Sequence, residues 1–158
     1  MPPSGSPVKE LIINDLVDTA LPLVTAGAEY YTTVEQVTLV GAGPLELKMF
    51  PAIVVMPMET EYNRAGSQGT TTAAATFRVQ LALFIRSRTD SVSKIERFIR
   101  DVHKALLVDR YRNGNAIHTR VVHDEVTYPT DDDEPFTTAI ITVDVDYRTR
   151  ITDLNTPT

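Results

Sequence analysis

The sequence contains no cysteine among its 158 residues. This absence excludes disulfide bonds, thiol nucleophiles and thiolate metal sites, and it suits a reducing compartment. Long apolar runs are also missing, because no stretch approaches the roughly 20 residues that a membrane helix needs. The first ten residues lack the basic and then apolar layout of a secretion signal. We therefore expect neither export nor a membrane partner.

The chain has fewer positively charged than negatively charged residues. The chain has 15 Lys and Arg against 21 Asp and Glu, which gives a formal net charge of −6. Affinity for nucleic acid comes mainly from clustered Lys and Arg, so this balance argues against a nucleic acid wrapped on the protein. It leaves open a nucleic acid that passes close by without binding.

The chain length fits one domain that can bury a core. Three prolines with Ser and Gly in residues 1–7 predict a flexible N-terminal arm. The domain itself is expected over residues 8–150, and residues 151–158 are expected to form a C-terminal tail.

Two amphipathic helices are predicted. In the first, apolar residues recur at helical spacing from Val8 to Ala20, and the helix should end near Pro22 or Gly27. Its polar residues, expected to face water, are Lys9, Asn14, Asp15 and Asp18.

The second helix begins at Asp90 or Ser91, either of which can cap it, and ends before Asn113-Gly114. Its predicted core stripe comprises Val92, Ile95, Phe98, Ile99, Val102, Leu106 and Leu107. Its surface should carry the ion pairs Glu96–Arg100 and Arg97–Asp101.

Strands are predicted at residues 34–40, 52–59, 76–86, 117–128 and 137–150. The stretch 52–59 is almost wholly apolar and should be buried on both faces. In two of the others, one face is apolar: Phe77, Val79, Leu81, Leu83 and Ile85, and then Ala139, Ile141, Val143, Val145 and Tyr147. Residues 60–71 read as a long loop. The element order predicts an α+β fold, a single domain with a mixed or antiparallel sheet packed with two main helices.

The stretch Val37–Glu46, "VTLVGAGPLE", resembles the start of a dinucleotide-binding turn. Gly41 and Gly43 match the first two glycines of that motif, but Glu46 stands where the third belongs. Few residues separate the turn from Pro51, too few for the helix of a βαβ crossover. We interpret the stretch as a glycine turn between adjacent strands, and we expect no cofactor. A small nucleotide-binding enzyme that uses Gly41 and Gly43 is a less favoured alternative.

The remaining candidates for chemistry are weak. His103 is expected to be a surface or core-edge residue of the second helix. His118 and His123 are five apart on a predicted strand, so they should point to opposite faces and not share a metal. The acidic run lacks the spacing and glycine of a calcium loop and is expected to be a solvated turn. That run comprises Asp131, Asp132, Asp133 and Glu134. With no nucleophile elbow or phosphate loop either, we predict no catalytic residues and no metal.

The order of the predicted elements over residues 8–150, and the sequences within them, resemble those of the tail terminator (tail completion) proteins of long-tailed bacteriophages. The stretches that carry this resemblance are "FPAIVVMPME", "FRVQLALFIRS", "SKIERFIRDVHKALLVD", "NGNA" and "ITVDVDYRTR". Small phage proteins of the head–tail neck are similar in size and composition. A head-side connector or neck protein is therefore the alternative.

The resemblance implies a structural virion protein, assembled in the host cytoplasm and placed at the head-proximal end of the tail. Its copies would form a ring, usually a hexamer, that caps the tail tube and offers a surface to the neck or head completion protein. DNA would pass through the lumen without specific binding, which net negative subunits favour. The candidate contact residues are Tyr62, Arg64 and Gln68 in the predicted loop, with Asp131, Asp132, Asp133 and Glu134.

Overall fold

The described helices and strands follow the order that the sequence predicts. In a computed structural model, the described residues are 7–40, 47–63, 72–87, 89–129 and 136–150. Residues 1–6 of the predicted arm and the predicted tail at 151–158 lie outside them. The helices are α1 (Val8–Asp15), continued by a π-helical turn (Leu16–Ala20) and a 3-10 turn (Leu21–Leu23), and α2 (Ser91–Val108). The strands are β1 (Gln36–Leu39), β2 (Ala52–Asn63), β3 (Thr72–Arg86), β4 (His118–Thr127) and β5 (Phe136–Arg150).

The described strands form one mixed sheet in the order β1-β2-β3-β5-β4. Strand β1 runs parallel to β2, and the other neighbours are antiparallel. Within the described residues, β1 and β4 each have a neighbour on one side only, so they are the edges of the sheet. The predicted α+β class, with a mixed sheet and two main helices in a single domain, is confirmed.

The core lies between the helices and one face of the sheet. Strands β3 and β5 alternate as predicted, and every residue of their two predicted apolar faces is buried. These side chains pack against Ile12 and Leu16 of the first helical segment and Ile95 and Phe98 of α2. We call this side of the sheet the helix-covered face. The opposite side, on which no described helix packs, is the open face, and its residues include Thr76, Arg78, Gln80, Thr142, Asp144 and Asp146.

The connection between β1 and β2 differs from the expected tight turn. The two strands are adjacent, as predicted, but they run parallel, with Gln36 opposite Ala52. Both strands therefore begin at the same end of the sheet. The described part of the connection, residues 47–51, is held on the open face, where the amides of Lys48 and Met49 donate to Gln36 Oε1 at 3.0 and 3.2 Å. Gly41, Gly43 and Glu46 lie outside the described residues.

Strand β2 is longer than predicted. Ala52–Val55 are fully buried, as expected for a strand covered on both faces, but β2 continues to Asn63 past exposed residues at 57–59. The register shifts between Pro57 and Thr60, which marks a bulge. The first third of the predicted loop at 60–71, residues 60–63, is therefore strand, and the remaining residues 64–71 lie outside the described part of the chain.

The predictions for the two helices are confirmed in part and wrong in part. The first helical segment ends at Leu23, close to Pro22 as predicted. Helix α2 begins after Asp90, which is in the left-handed region (φ 56°) and makes no side-chain cap. Five residues of its predicted core stripe are buried, but Val92 is 59% and Leu107 50% exposed because they lie at the ends of the helix.

Candidate interaction surfaces

A cleft of about 430 Å³ opens where the end of β3 meets the first turns of α2. Its other walls are the segment at residues 31–35 and Pro51. The described residues that line it include three cations, Arg86, Lys94 and Arg97, and a single carboxylate, Glu35. We call it the basic cleft. It stands out because the protein as a whole carries a net charge of −6.

The wall at residues 31–35 is fixed by a buried carboxylate on α2. Asp101 is fully buried, and its Oδ2 accepts the backbone N–H groups of Tyr31 at 2.9 Å and Thr32 at 2.8 Å. Hydrogen bonds to a charged acceptor are among the stronger ones in proteins. The predicted surface ion pair between Arg97 and Asp101 is therefore wrong, because the carboxylate turns inward to these amides.

Tyr31 lies under two arginines of α2. The guanidinium carbons of Arg97 and Arg100 are 5.2 and 5.0 Å from the centre of its ring, a cation–π arrangement on a ring that remains 57% exposed. The predicted Glu96–Arg100 ion pair does not form among the described residues, because Arg100 turns to Tyr31.

The cations continue along α2 as a stripe. Lys94, Arg97, Arg100 and Lys104 are three or four positions apart, which places them on one side of the helix. Lys104 pairs with the carboxylate of Glu29 and lies 5.3 Å from the centre of the Tyr30 ring. At the cleft, Lys94 Nζ donates to Ser87 Oγ at 2.8 Å. In the described part of the chain, none of the three cleft cations has a carboxylate partner.

Two arginines of the open face, Arg78 and Arg120, are in contrast paired with carboxylates within the sheet. Arg78 binds Asp144 through Nε at 2.8 Å and through Nη2 at 3.1 Å, and its Nη1 lies 3.3 Å from Glu59 Oε1. The hydrogen bonds from Arg78 to Asp144 raise the pKa of the arginine. Arg120 of β4 adds a contact of 3.5 Å to Asp146. This network joins β2, β3, β5 and β4, so we interpret it as structural.

A second buried charge joins the end of α2 to α1. Arg112 is fully buried, lies 3.0 Å from Asp15 Oδ2 through Nη1, and donates through Nη2 to the carbonyls of Leu106 and Asp109. Burial lowers the pKa of Arg112 and raises the pKa of Asp15. The prediction that Asp15 faces water is wrong, because the helix turns this carboxylate toward Arg112. An arginine in a polar turn gives no sequence signal of this role.

The histidines behave differently from the prediction. A bulge in β4 between Val121 and His123 reverses the alternation, so His118, opposite Asp146, and His123, opposite Thr142, share the open face. They still do not meet, because Arg120 lies between them along the strand. Among the described residues, no group of three or more His, Cys, Asp or Glu is placed to hold a metal ion. His103 is half-buried at the edge of the core, as predicted, with Nε2 3.8 Å from Asp124 Oδ2.

Only one of the predicted contact residues can be placed. Tyr62 lies on β2, 51% exposed, and a hydrogen bond links it to the buried Tyr147 of β5. Burial, and then this hydrogen bond, raise the pKa of Tyr147. Tyr62 thus belongs to the end of the sheet rather than to a loop. The other predicted contact residues, Arg64, Gln68, Asp131, Asp132, Asp133 and Glu134, lie outside the described residues.

No protein-family model matches the chain, and no curated protein matches its sequence. No helix of the described residues is long and apolar enough to cross a membrane.

Proposed function

We propose that the protein is a tail terminator of a long-tailed bacteriophage, a structural protein whose copies form a ring at the end of the tail tube. The single observation that carries the proposal is that the described sheet ends in two free and unlike edges. The resemblance of residues 8–150 to tail terminator proteins also supports the proposal. A hexamer is the ring size that the resemblance implies.

The two edges differ in length and in side chains. Strand β1 is short, spanning Gln36–Leu39, and is followed by Val40, which is 46% exposed. Strand β4 spans ten residues, and Val122 at its bulge is 51% exposed. A free strand edge is a ready surface for pairing with another chain. Because the two edges are unlike, contact between copies would be head to tail, and a head-to-tail contact that closes gives a ring.

The charges of the subunit suit a channel for DNA. The net charge of −6 gives a ring whose overall field repels phosphate. Two arginines of the open face are held by carboxylates, Arg78 by Asp144 and Arg120 by Asp146, so these two are poor partners for a passing backbone. This supports a lumen that DNA traverses without specific binding.

The function is tested by adding the purified protein to growing tubes of the tail tube protein from the same phage. We expect it to bind one end of each tube and to stop elongation, so that tube length stays fixed in electron micrographs. Binding to the neck or portal assembly while tubes elongate unchanged would contradict the proposal and favour the head-side connector.

A further inference from the structure

We propose that the basic cleft is a binding site for a phosphate group in its dianionic form. This inference goes beyond the proposed function and does not depend on a ring. The cleft, of about 430 Å³, falls within the size range of small-molecule pockets. Its described lining has three cations and one carboxylate, Glu35, and this excess of two positive charges matches the charge of a phosphate dianion.

Two cations of the cleft are held by neutral groups, so their charges remain available to a ligand. Lys94 Nζ donates to Ser87 Oγ at 2.8 Å, and that hydroxyl in turn donates to the carbonyl of Thr89 at 2.7 Å. The guanidinium carbon of Arg97 lies 5.2 Å from the centre of the Tyr31 ring. These contacts orient both cations before a ligand arrives, which lowers the entropic cost of binding.

Cations with a structural role in the described part of the chain are held differently. Arg78 binds the carboxylate of Asp144 at 2.8 Å, and Arg112 binds that of Asp15 at 3.0 Å. Among the described residues, no cation of the cleft has such a partner. The cleft therefore carries positive charge that no described carboxylate neutralises.

The wall at residues 31–35 adds further donors at fixed positions. Its backbone is held by the buried Asp101 at the amides of Tyr31 and Thr32. Thr32 and Thr33 line the cleft, and threonine hydroxyls are common phosphate ligands. Arginine binds phosphate through two parallel N–H groups, and lysine adds a point charge. This donor set favours phosphate, which has three acceptor oxygens and two charges, over a single carboxylate, which has two oxygens and one charge.

Isothermal titration calorimetry with sodium phosphate, at constant ionic strength, tests the site. We expect saturable binding of one phosphate per chain. Sodium acetate should bind roughly tenfold more weakly or worse, because it brings one charge and two oxygens. The inference is overturned if phosphate shows no saturable binding or if acetate binds equally well.

Neutral substitutions locate the site. In the variant Arg86→Gln with Lys94→Gln, we expect phosphate affinity to fall roughly tenfold or more, because two charge-assisted contacts are lost. The matched control is Lys104→Gln with Arg110→Gln, which removes the same charge outside the cleft, where Lys104 is already paired with Glu29. The control should keep the wild-type affinity. An equal loss in both variants, with the fold intact by circular dichroism, would show a general effect of net charge and overturn the inference.

A variant that keeps every charge distinguishes a built site from a diffuse positive patch. In Ser87→Ala, Lys94 loses the acceptor that orients it, and we expect a several-fold loss of phosphate affinity. Unchanged affinity would show that the cations act only through their summed charge and would overturn the site.

The competing occupant of the cleft is the acidic run at residues 131–134 of the same chain. The run precedes Phe136, which is the register partner of Arg86. We expect the wild type to bind phosphate with this run intact. Binding that appears only in the variant with Asp131→Asn, Asp132→Asn, Asp133→Asn and Glu134→Gln would assign the cleft to these carboxylates and overturn the inference.

A short single-stranded oligonucleotide, with and without a terminal phosphate, identifies the source of the phosphate. If the phosphorylated strand binds more tightly than inorganic phosphate, the source is a nucleic-acid end, and if it binds no more tightly, the source is the free ion. Tight binding of the unphosphorylated strand, equal to that of the phosphorylated one, would show recognition of backbone diesters and overturn the inference. The proposed function does not change with any of these outcomes, because it depends on the ring.

Discussion

At the scale of single residues, two buried charges hold the helices to the rest of the chain. Asp101 holds the segment at Tyr31 and Thr32 against α2, and Arg112 holds the end of α2 against Asp15. Neither role was predictable, because a charged residue in an amphipathic helix or a polar turn is normally solvated. Only the tertiary position of the partner amides and carboxylate makes these charges structural.

Removal of the Asp101 carboxylate should destabilise the protein. In Asp101→Ala two part-buried amides lose their acceptor, and we expect the free energy of unfolding to fall by about 2–3 kcal/mol. Asp101→Asn keeps an acceptor oxygen and should lose clearly less. Urea denaturation followed by circular dichroism measures both variants, and equal losses would contradict the role given to the acceptor.

His103 should make stability depend on pH. Burial lowers its pKa from the ordinary 6.5, against the opposing effect of Asp124, so the unfolded chain takes up this proton more readily than the folded one. Its contribution to stability is therefore complete above pH 6.5 and is lost as the pH falls through the lowered value. Between about pH 7.5 and pH 5.5, His103→Gln should show a shallower decline in unfolding free energy than the wild type. A wild-type slope in His103→Gln would contradict this account of His103.

At the scale of elements, hydrophobic periodicity predicted which strand faces are buried, but it did not predict which strands pair with each other. The alternation in β3 and β5 predicted their buried faces because each strand has one face in the core. The parallel pairing of β1 with β2 depends on a crossover that no local pattern specifies. The bulge at Val122 also has no signal in the sequence, and it alone placed His118 and His123 on one face.

Two glycines in different connections offer a matched pair of substitutions, Gly114 after α2 and Gly27 after the 3-10 turn. Gly114 has φ 81°, and a Cβ there meets nothing within 4 Å, so Gly114→Ala should cost about 1 kcal/mol through backbone strain alone. Gly27 is equally open but outside the left-handed region, so Gly27→Ala should stabilise the protein by about 0.4–1 kcal/mol. Thermal unfolding distinguishes them, and a change of the same sign in both would contradict this reading of the turn.

At the scale of the whole molecule, the account depends on the free edges of the sheet. Two exposed apolar residues give a matched test, Val122 on the β4 edge (51% exposed) and Leu23 on the 3-10 turn (50% exposed). A carboxylate on the edge should disrupt the contact between copies, whereas the same change on the 3-10 turn should not. We expect Val122→Glu to dissociate the ring and Leu23→Glu to leave it intact.

The measurement that tests the central claim most directly is the mass of the assembled particle by native mass spectrometry, for the wild type and these two variants. The account predicts one closed oligomer, with six copies as the expected number, in the wild type and in Leu23→Glu, and monomers in Val122→Glu. Wild-type protein that remains monomeric at all concentrations, with and without tail tubes, would contradict it.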